Sequence, residues 1–179
     1  YRFRPDLVGG LVLGYAQNEV DFDAAKSVVD GGIESQGFSL GAFGSWSWDA
    51  FYVSGFISYQ RMEFEIDRFI TYPSINPDVE GTNTQTTGET HSDSVPATAN
   101  LGYTHRFGLP FSLGSKNGRQ SAGKPFLIEP SIRAEYFHLN IAEYDEANLT
   151  PTESFALTIQ EQTFDSLEFA LGLRMSAAV

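Results

Sequence analysis

Apolar and polar side chains alternate with a period of two over most of this chain. Successive side chains of a strand point to opposite faces, so the alternation predicts β-structure. Six long segments carry it. From about Leu7 to Phe22, Leu7, Leu11, Leu13 and Tyr15 share one parity, and Val8, Gly10, Val12, Gly14 and Ala16 share the other. From Ser35 to Trp48, Phe38, Leu40, Ala42, Trp46 and Trp48 oppose Ser39, Gly41, Ser45 and Ser47. The third segment, Phe51 to about Arg68, opens with Phe51, Val53, Gly55, Ile57 and Tyr59 on one face. Near Arg61 its apolar parity passes to Met62, Phe64 and Ile66, which predicts a bulge or an exit from the buried zone. In the fourth, VPATANLGYTHRF, Val95, Ala97, Ala99, Leu101, Tyr103 and Phe107 oppose Thr98, Asn100, Gly102, Thr104 and Arg106. The fifth sets Phe126, Ile128, Ile132, Ala134 and Tyr136 against Glu129, Ser131, Arg133 and Glu135. The sixth, about Phe155 to Met175, loses its parity after Ile159 and regains it at Leu167, with Phe169, Leu171, Leu173 and Met175 opposing Glu168, Gly172 and Arg174.

These segments exceed the ~5–6 residues usual in soluble strands, and roughly 9–11 residues cross a bilayer on a tilted strand. The connections alternate in kind. Those after the first, third and fifth segments are acidic or long: NEVDFDAAKSVVDGG, YPSINPDVEGTNTQTTGETHSDS and EYDEANLTPTE. The one after the second is the tight WDA, and the one after the fourth, GLPFSLGSKNGRQSAGKP, carries Lys116, Arg119 and Lys124. An up-and-down meander puts odd and even connections on opposite rims, the layout of an outer-membrane barrel with its long loops outside. The Thr/Gly/Ser-rich stretch Gly81–Asp93 reads as a flexible surface loop, and a helix of a turn or two is expected only around Asp23–Asp30. The expected fold is all-β: an antiparallel up-and-down transmembrane β-barrel with about six long strands, one domain over residues 1–179.

Which parity faces inward decides the class. The polar parity holds Arg106, Glu129, Arg133, Glu135, Glu168 and Arg174, interleaved with Gly, Ser, Thr and Asn, and no segment contains a lysine. A solvated sandwich face would carry Lys freely. Opposed Arg and Glu among small residues fit a barrel lumen, where they pair across the interior. Leu101, Tyr103, Ile128, Ile132, Phe169, Leu171 and Leu173 are then expected to face lipid, with Tyr15, Trp46, Trp48, Tyr52, Tyr103 and Tyr136 as interfacial aromatics.

Charge and candidate chemistry narrow the reading further. Eleven Lys and Arg against 23 Asp and Glu give a net charge of -12, which argues against nucleic acid as a partner. Cysteine is absent, so disulfide and thiolate metal chemistry are excluded. No apolar run approaches the ~20 residues of a transmembrane helix, and the opening YRFRPD does not read as a signal peptide, as in a mature chain or an excised piece. His91, His105 and His138 lack metal-ligand spacing, and His91 falls in the expected flexible loop. No serine sits in a strand–turn–helix nucleophile setting. Asn148-Leu-Thr is a glycosylation sequon by pattern alone. Asp21, Asp23, Asp78, Glu80, Asp145 and Glu146 read as a solvated acidic surface, without calcium-loop spacing. Neither a cofactor nor catalysis is expected.

Several stretches in order resemble the β-domain of bacterial autotransporters, the translocator of type V secretion. GGLVLGYAQNEVDFD is similar to an early strand leading to an acidic loop, and GFSLGAFGSWSWDAFYVSGFISY to a hairpin with an aromatic-Asp turn. RFITYPS, FLIEPSIRAEYFHLNIAEYDE and SLEFALGLRMSAAV resemble later parts of the same domain. The resemblance implies an outer-membrane barrel that exports or displays its own N-terminal passenger. Its implied partners are outer-membrane lipids, that passenger and the barrel-assembly machinery. The family barrel has twelve strands, a plugging helix and an aromatic terminal residue. Six strands ending at Val179 are expected to be its central part, with passenger, linker helix and terminal strands lying outside it. A small adhesion or lipid-modifying barrel, and a soluble lipocalin-like module, are the other classes the residues leave open.

Overall fold

The computed structural model describes residues 1–22, 29–72, 74–75, 78, 81–108, 125–149 and 155–177. Six long strands dominate it: β1 (Leu7–Phe22), β2 (Val29–Trp48), β3 (Phe51–Tyr72), β4 (Thr82–Tyr103), β5 (Pro125–Ile141) and β6 (Gln162–Ala177). Each pairs antiparallel with its sequence neighbour, giving the order β1-β2-β3-β4-β5-β6. The short strand Arg2–Arg4 folds back on the start of β1, and His105–Gly108 extends the β4 side along β5. The sheet is open, since β1 and β6 do not pair with each other among the described residues.

The strands are long because cross-strand pairing continues past the segments read from sequence, to Val29↔Ile70 between β2 and β3 and to Tyr72↔Thr82 between β3 and β4. Register is constant between β3 and β4, from Phe51↔Tyr103 to Tyr72↔Thr82. No bulge therefore accompanies the change of apolar parity at Arg61, and the strand simply enters a different environment. The expected loop Gly81–Asp93 is instead the outer half of β4. Its β-branched threonines (Thr82, Thr84, Thr86, Thr87 and Thr90) suit a strand, and Arg61–Tyr72 of β3 offers a full row of partners. His91 accordingly lies in a strand opposite Glu63. Of the helix expected around Asp23–Asp30, residues 23–28 lie outside the described residues, and Val29 and Asp30 are strand.

The β2–β3 hairpin turns on Asp49 and Ala50, with Asp49 at φ 49°, a left-handed conformation that Asp tolerates better than most residues. Nothing resembling a soluble core forms among the described residues. Among the described residues Ile70 is the only buried hydrophobic side chain, while Leu11, Leu13 and Leu171 stand about four-fifths exposed (78, 81 and 85%).

Gly37 sits at a close approach of β2 and β3, and a Cβ there would lie 2.1 Å from the Arg61 carbonyl oxygen. Backbone cannot step aside as a side-chain tip can. Gly37→Val is expected to weaken β2–β3 pairing by about 1–3 kcal/mol, the usual range for overpacking. The check is a lower midpoint temperature for conversion of the folded band to the unfolded one on a semi-native gel.

Candidate functional site

The working part of this molecule is a wall, and each of its faces has its own chemistry. On one face an apolar band crosses all six strands: Leu7–Tyr15, Phe38–Trp46, Phe51–Tyr59, Val95–Tyr103, Ile128–Tyr136 and Leu167–Met175, each nine residues long. Every second residue in these stretches lies in the band. None of those positions holds a charge, an amide or an aliphatic hydroxyl.

The band is inclined to the strands. Cross-strand register carries Tyr15 through Phe38, Arg61, Asp93 and Asn140 to Thr163, yet the upper limit of the band on β6 is Leu167, four residues further along. The lower limit shifts equally, from Leu7, whose row ends at Leu171, to Met175. Four residues along the strand over five inter-strand steps is about 13 Å over about 24 Å, an inclination of about 30°. Projected at that angle, the nine-residue stretch is about 23 Å tall, close to the ~25 Å apolar band of outer-membrane barrels.

Aromatic rings mark both limits. Below, Trp46, Trp48, Phe51, Tyr103, His105, Phe107 and Phe126 form a continuous chain with centroid separations of 4.2–6.4 Å. Above, three tyrosine hydroxyls donate to the first polar residues beyond the band: Tyr15 to Gln36 (3.3 Å), Tyr59 to Asp93 and Tyr136 to Asp165 (2.9 Å). His138 Nδ1 also meets Asp165, at 2.8 Å. Tyr52 does not belong to this set. It lies on the opposite face, its ring over Gly102, because it neighbours Phe51 and so has the other parity.

The residues assigned to a lumen from sequence share one face. Glu129, Arg133 and Glu135 line β5, and Glu168 and Arg174 line β6 beside them. Arg174 approaches Glu129 to 3.9 Å, and Arg133 pairs with Glu135, itself directly opposite Glu168. Arg106, opposite Leu127, stands on the same face near the lower end. Ser54, Thr98, Asn100, Ser131 and Arg133 border an open cavity of about 460 Å³ on this face. The residues assigned to lipid, Leu101, Tyr103, Ile128, Ile132, Phe169, Leu171 and Leu173, all lie in the apolar band on the other. Among the described residues no group of three or more acidic or histidine side chains is arranged to hold a metal.

Above the band the polarity of the two faces exchanges. The band side continues as Gln17, Glu19 and Asp21 on β1, Gln36 and Glu34 on β2, and Arg61, Glu63, Glu65 and Asp67 on β3. Glu19, Glu34, Glu65 and Glu89 even stand directly opposite one another in a row. The charge-bearing side becomes apolar instead, through Met62, Phe64 and Ile66 on β3 and Phe137, Leu139 and Ile141 on β5.

A strap folds onto that upper inner face. Beyond Ile141 the chain stays on the edge of β4, with Ala142 N–H donating to the His91 carbonyl and Leu149 N–H to that of Gln85, both at 3.0 Å. Between these anchors the Tyr144 ring lies against Gly88, and Glu146 pairs with Arg68. The returning limb lies on the first, with Thr158 opposite Asp145 and Ile159 opposite Tyr144. Arg68 Nη2 also donates to the Phe155 carbonyl (3.1 Å). Thr86, entirely buried, and Ile70 and Thr84 lie on the same upper inner face and are the most buried side chains named among the described residues. Burial, and after it the Glu146 carboxylate, push the Tyr144 phenol above its ordinary range. Glu146 is therefore no part of a solvated acidic surface, since its side chain is 5% exposed. Sequence reading missed Arg68, Tyr144 and Glu146 as a unit because the partners are 78 residues apart and no periodicity links them.

The autotransporter β-domain family model matches residues 1–179, the whole chain. No curated protein matches it.

Removing Arg68 would leave a buried carboxylate without its counter-charge. Arg68→Ala is expected to destabilise the strap by about 3–5 kcal/mol, the range for breaking a buried ion pair from one side. Hydrogen exchange tests this: the Glu146 and Leu149 amides should lose protection while those of the β2–β3 ladder keep theirs.

Proposed function

Because the chain belongs to the autotransporter β-domain family, the outer-membrane translocator barrels of type V secretion in Gram-negative bacteria, we propose that it exports or displays its own N-terminal passenger. The family is a translocator rather than a catalytic one, the protein resides in the outer membrane, and its antiparallel sheet is barrel wall. Outer-membrane residence leaves no place for the soluble-module reading.

One observation carries the proposal: the nine-residue apolar band that recurs on all six strands, with opposed charges confined to the other face. The band side, through Leu101, Tyr103, Ile128, Ile132, Phe169, Leu171 and Leu173, faces lipid. The other side lines a hydrated passage, in which Arg106, Glu129, Arg133, Glu135, Glu168 and Arg174 keep a polar, self-neutralising surface. Such a wall holds water without offering an extended polypeptide a strong binding site of either sign, so a passing chain slides rather than sticks. The asymmetry within the wall supports this. Only β5 and β6 carry charges within the band height, while β2–β4 present Ser39, Ser45, Ser54, Ser58, Thr98 and Asn100. Insertion of the wall draws on the barrel-assembly machinery, and the passenger is the partner that passes through.

Substitution at graded depth tests the lipid assignment. Leu171→Arg, at mid-band on β6, is expected to cost about 2–4 kcal/mol and Leu167→Arg, at its upper limit, about 0–1 kcal/mol. Folding titrations into phospholipid vesicles measure both. Equal costs at the two positions would remove the assignment. Export is tested on cells making the complete protein: external protease should remove the passenger from wild-type cells, and a passenger that stays protected inside the cell would count against translocation.

A further inference from the structure

We propose that the upper inner face between β3 and β4 holds one internal water, bound by Arg68 Nε, Thr86 Oγ1 and Thr84 Oγ1. All three atoms are shielded from solvent, and none has a hydrogen-bond partner among the described residues. The two threonines are 3% (Thr84) and 0% (Thr86) exposed. The site belongs to the wall itself and does not depend on what passes along it.

Register brings the three groups together. Arg68 and Thr86 are direct cross-strand partners, so their Cβ atoms stand about 4.5–5.5 Å apart on one face. Thr84 follows two residues along β4, about 7 Å away, opposite Ile70. Ile70, itself buried, lies at that end of the site. At the other end the Tyr144 ring covers Gly88. The guanidinium is fixed through Nη2, which pairs with Glu146 and donates to the Phe155 carbonyl at 3.1 Å. Its Nε–H has no acceptor among the described residues, although two hydroxyls share its face.

The chemistry of the three groups selects water. A hydroxyl offers one donor and two acceptor sites, whereas Nε–H only donates. Each group has given up bulk water, and its burial is costly unless another partner replaces it. One water can accept from Nε–H and from one threonine and donate to the other. That makes three bonds, the usual number for a buried water. A small anion would also accept from three donors, but charge disfavours it. Glu146, nearly buried, already neutralises Arg68, and a second anion beside it would stand unbalanced. The residue types agree. Valine has the shape of threonine, suits a buried strand as well and would leave no hydroxyl to satisfy. Threonine at both 84 and 86 is favoured only where its hydroxyl is bonded. The water also orients the guanidinium, and so holds Nη2 toward Glu146 and Phe155 together.

The test uses the complete protein. Thr86→Val keeps the shape and removes the hydroxyl. It is expected to lower the midpoint temperature of band conversion on a semi-native gel by about 2–4 °C, the shift of one lost hydrogen bond in a domain of this size. Thr84→Val is expected to do the same. The double variant should lose less than the two single losses added together, because both act on one water. Additive losses would mean separate partners and no shared water. A single variant that matches or exceeds the wild-type midpoint overturns the site, since an unbonded buried hydroxyl gains nothing over a methyl group. Crystals of the wild-type protein supply a second reading that needs no variant to fold. Electron density for one water is expected about 2.7–3.2 Å from Arg68 Nε and from both threonine hydroxyls. Density for nothing there overturns the site. An anomalous peak at that position in crystals grown with bromide overturns water in favour of an anion.

Discussion

A peptide N–H or C=O that faces hydrocarbon without a partner costs several kcal/mol, and no water is there to supply one. The rest of this structure depends on that constraint. It forces each membrane-crossing stretch into a ladder with its neighbour, and here ladders join every neighbouring pair of bands, interrupted between β3 and β4 only at Ser58–Tyr59, opposite Val95 and Pro96, where Pro96 has no N–H to give. With the backbone satisfied sideways, side chains are left to choose faces, and the period of two lets a single strand serve lipid on one side and water on the other. The same rule explains the meander. Neighbours in sequence become neighbours in space, so pairing closes locally, with a two-residue hairpin between β2 and β3.

Much of this arrangement was legible in the chain. The six strands, their faces and their antiparallel order follow from alternation, which the pleat converts directly into geometry. Three features were not. The outer half of β4 reads as loop because Thr82–Thr90 carries polar side chains on both parities. Its partner row on β3 makes it a strand, and a pairing is invisible in one segment taken alone. Tyr52 reads with the interfacial aromatics by residue type, but parity puts it over Gly102 on the other face. Glu146 reads as solvated because acidic loop residues usually are, and only the folded strap brings Arg68 to it. For β4 and Glu146 the missing information is a pairing between residues far apart in sequence, which composition and periodicity do not contain, whereas the face of Tyr52 follows from its parity next to Phe51.

The exchange of polarity at the upper edge of the band links these cases. On the proposed orientation the band meets oil outside and water inside; above it both sides meet water, and the ordinary logic of a soluble sheet returns. One face then sheds its apolar residues into a small packed region under the strap, and the other takes the glutamates. The parity change near Arg61 is thus a depth mark written into the sequence, placed by the surroundings rather than by any irregularity of the backbone. Tyr15, Tyr59 and Tyr136 sit at that mark with their hydroxyls bonded to the first polar residues above it.

Alternation also matters before any barrel exists. A chain bound for the outer membrane must first cross the inner one, where a continuous apolar stretch would be retained as a spanning helix. Here each leucine or phenylalanine of the sixth band, Leu167 to Met175, is followed by a Glu, Ala, Gly or Arg, so the residues proposed to face lipid in the finished wall are too diluted to halt the unfolded chain on its way. The two-sidedness of the strand thus decides which of the cell's two membranes the protein settles in.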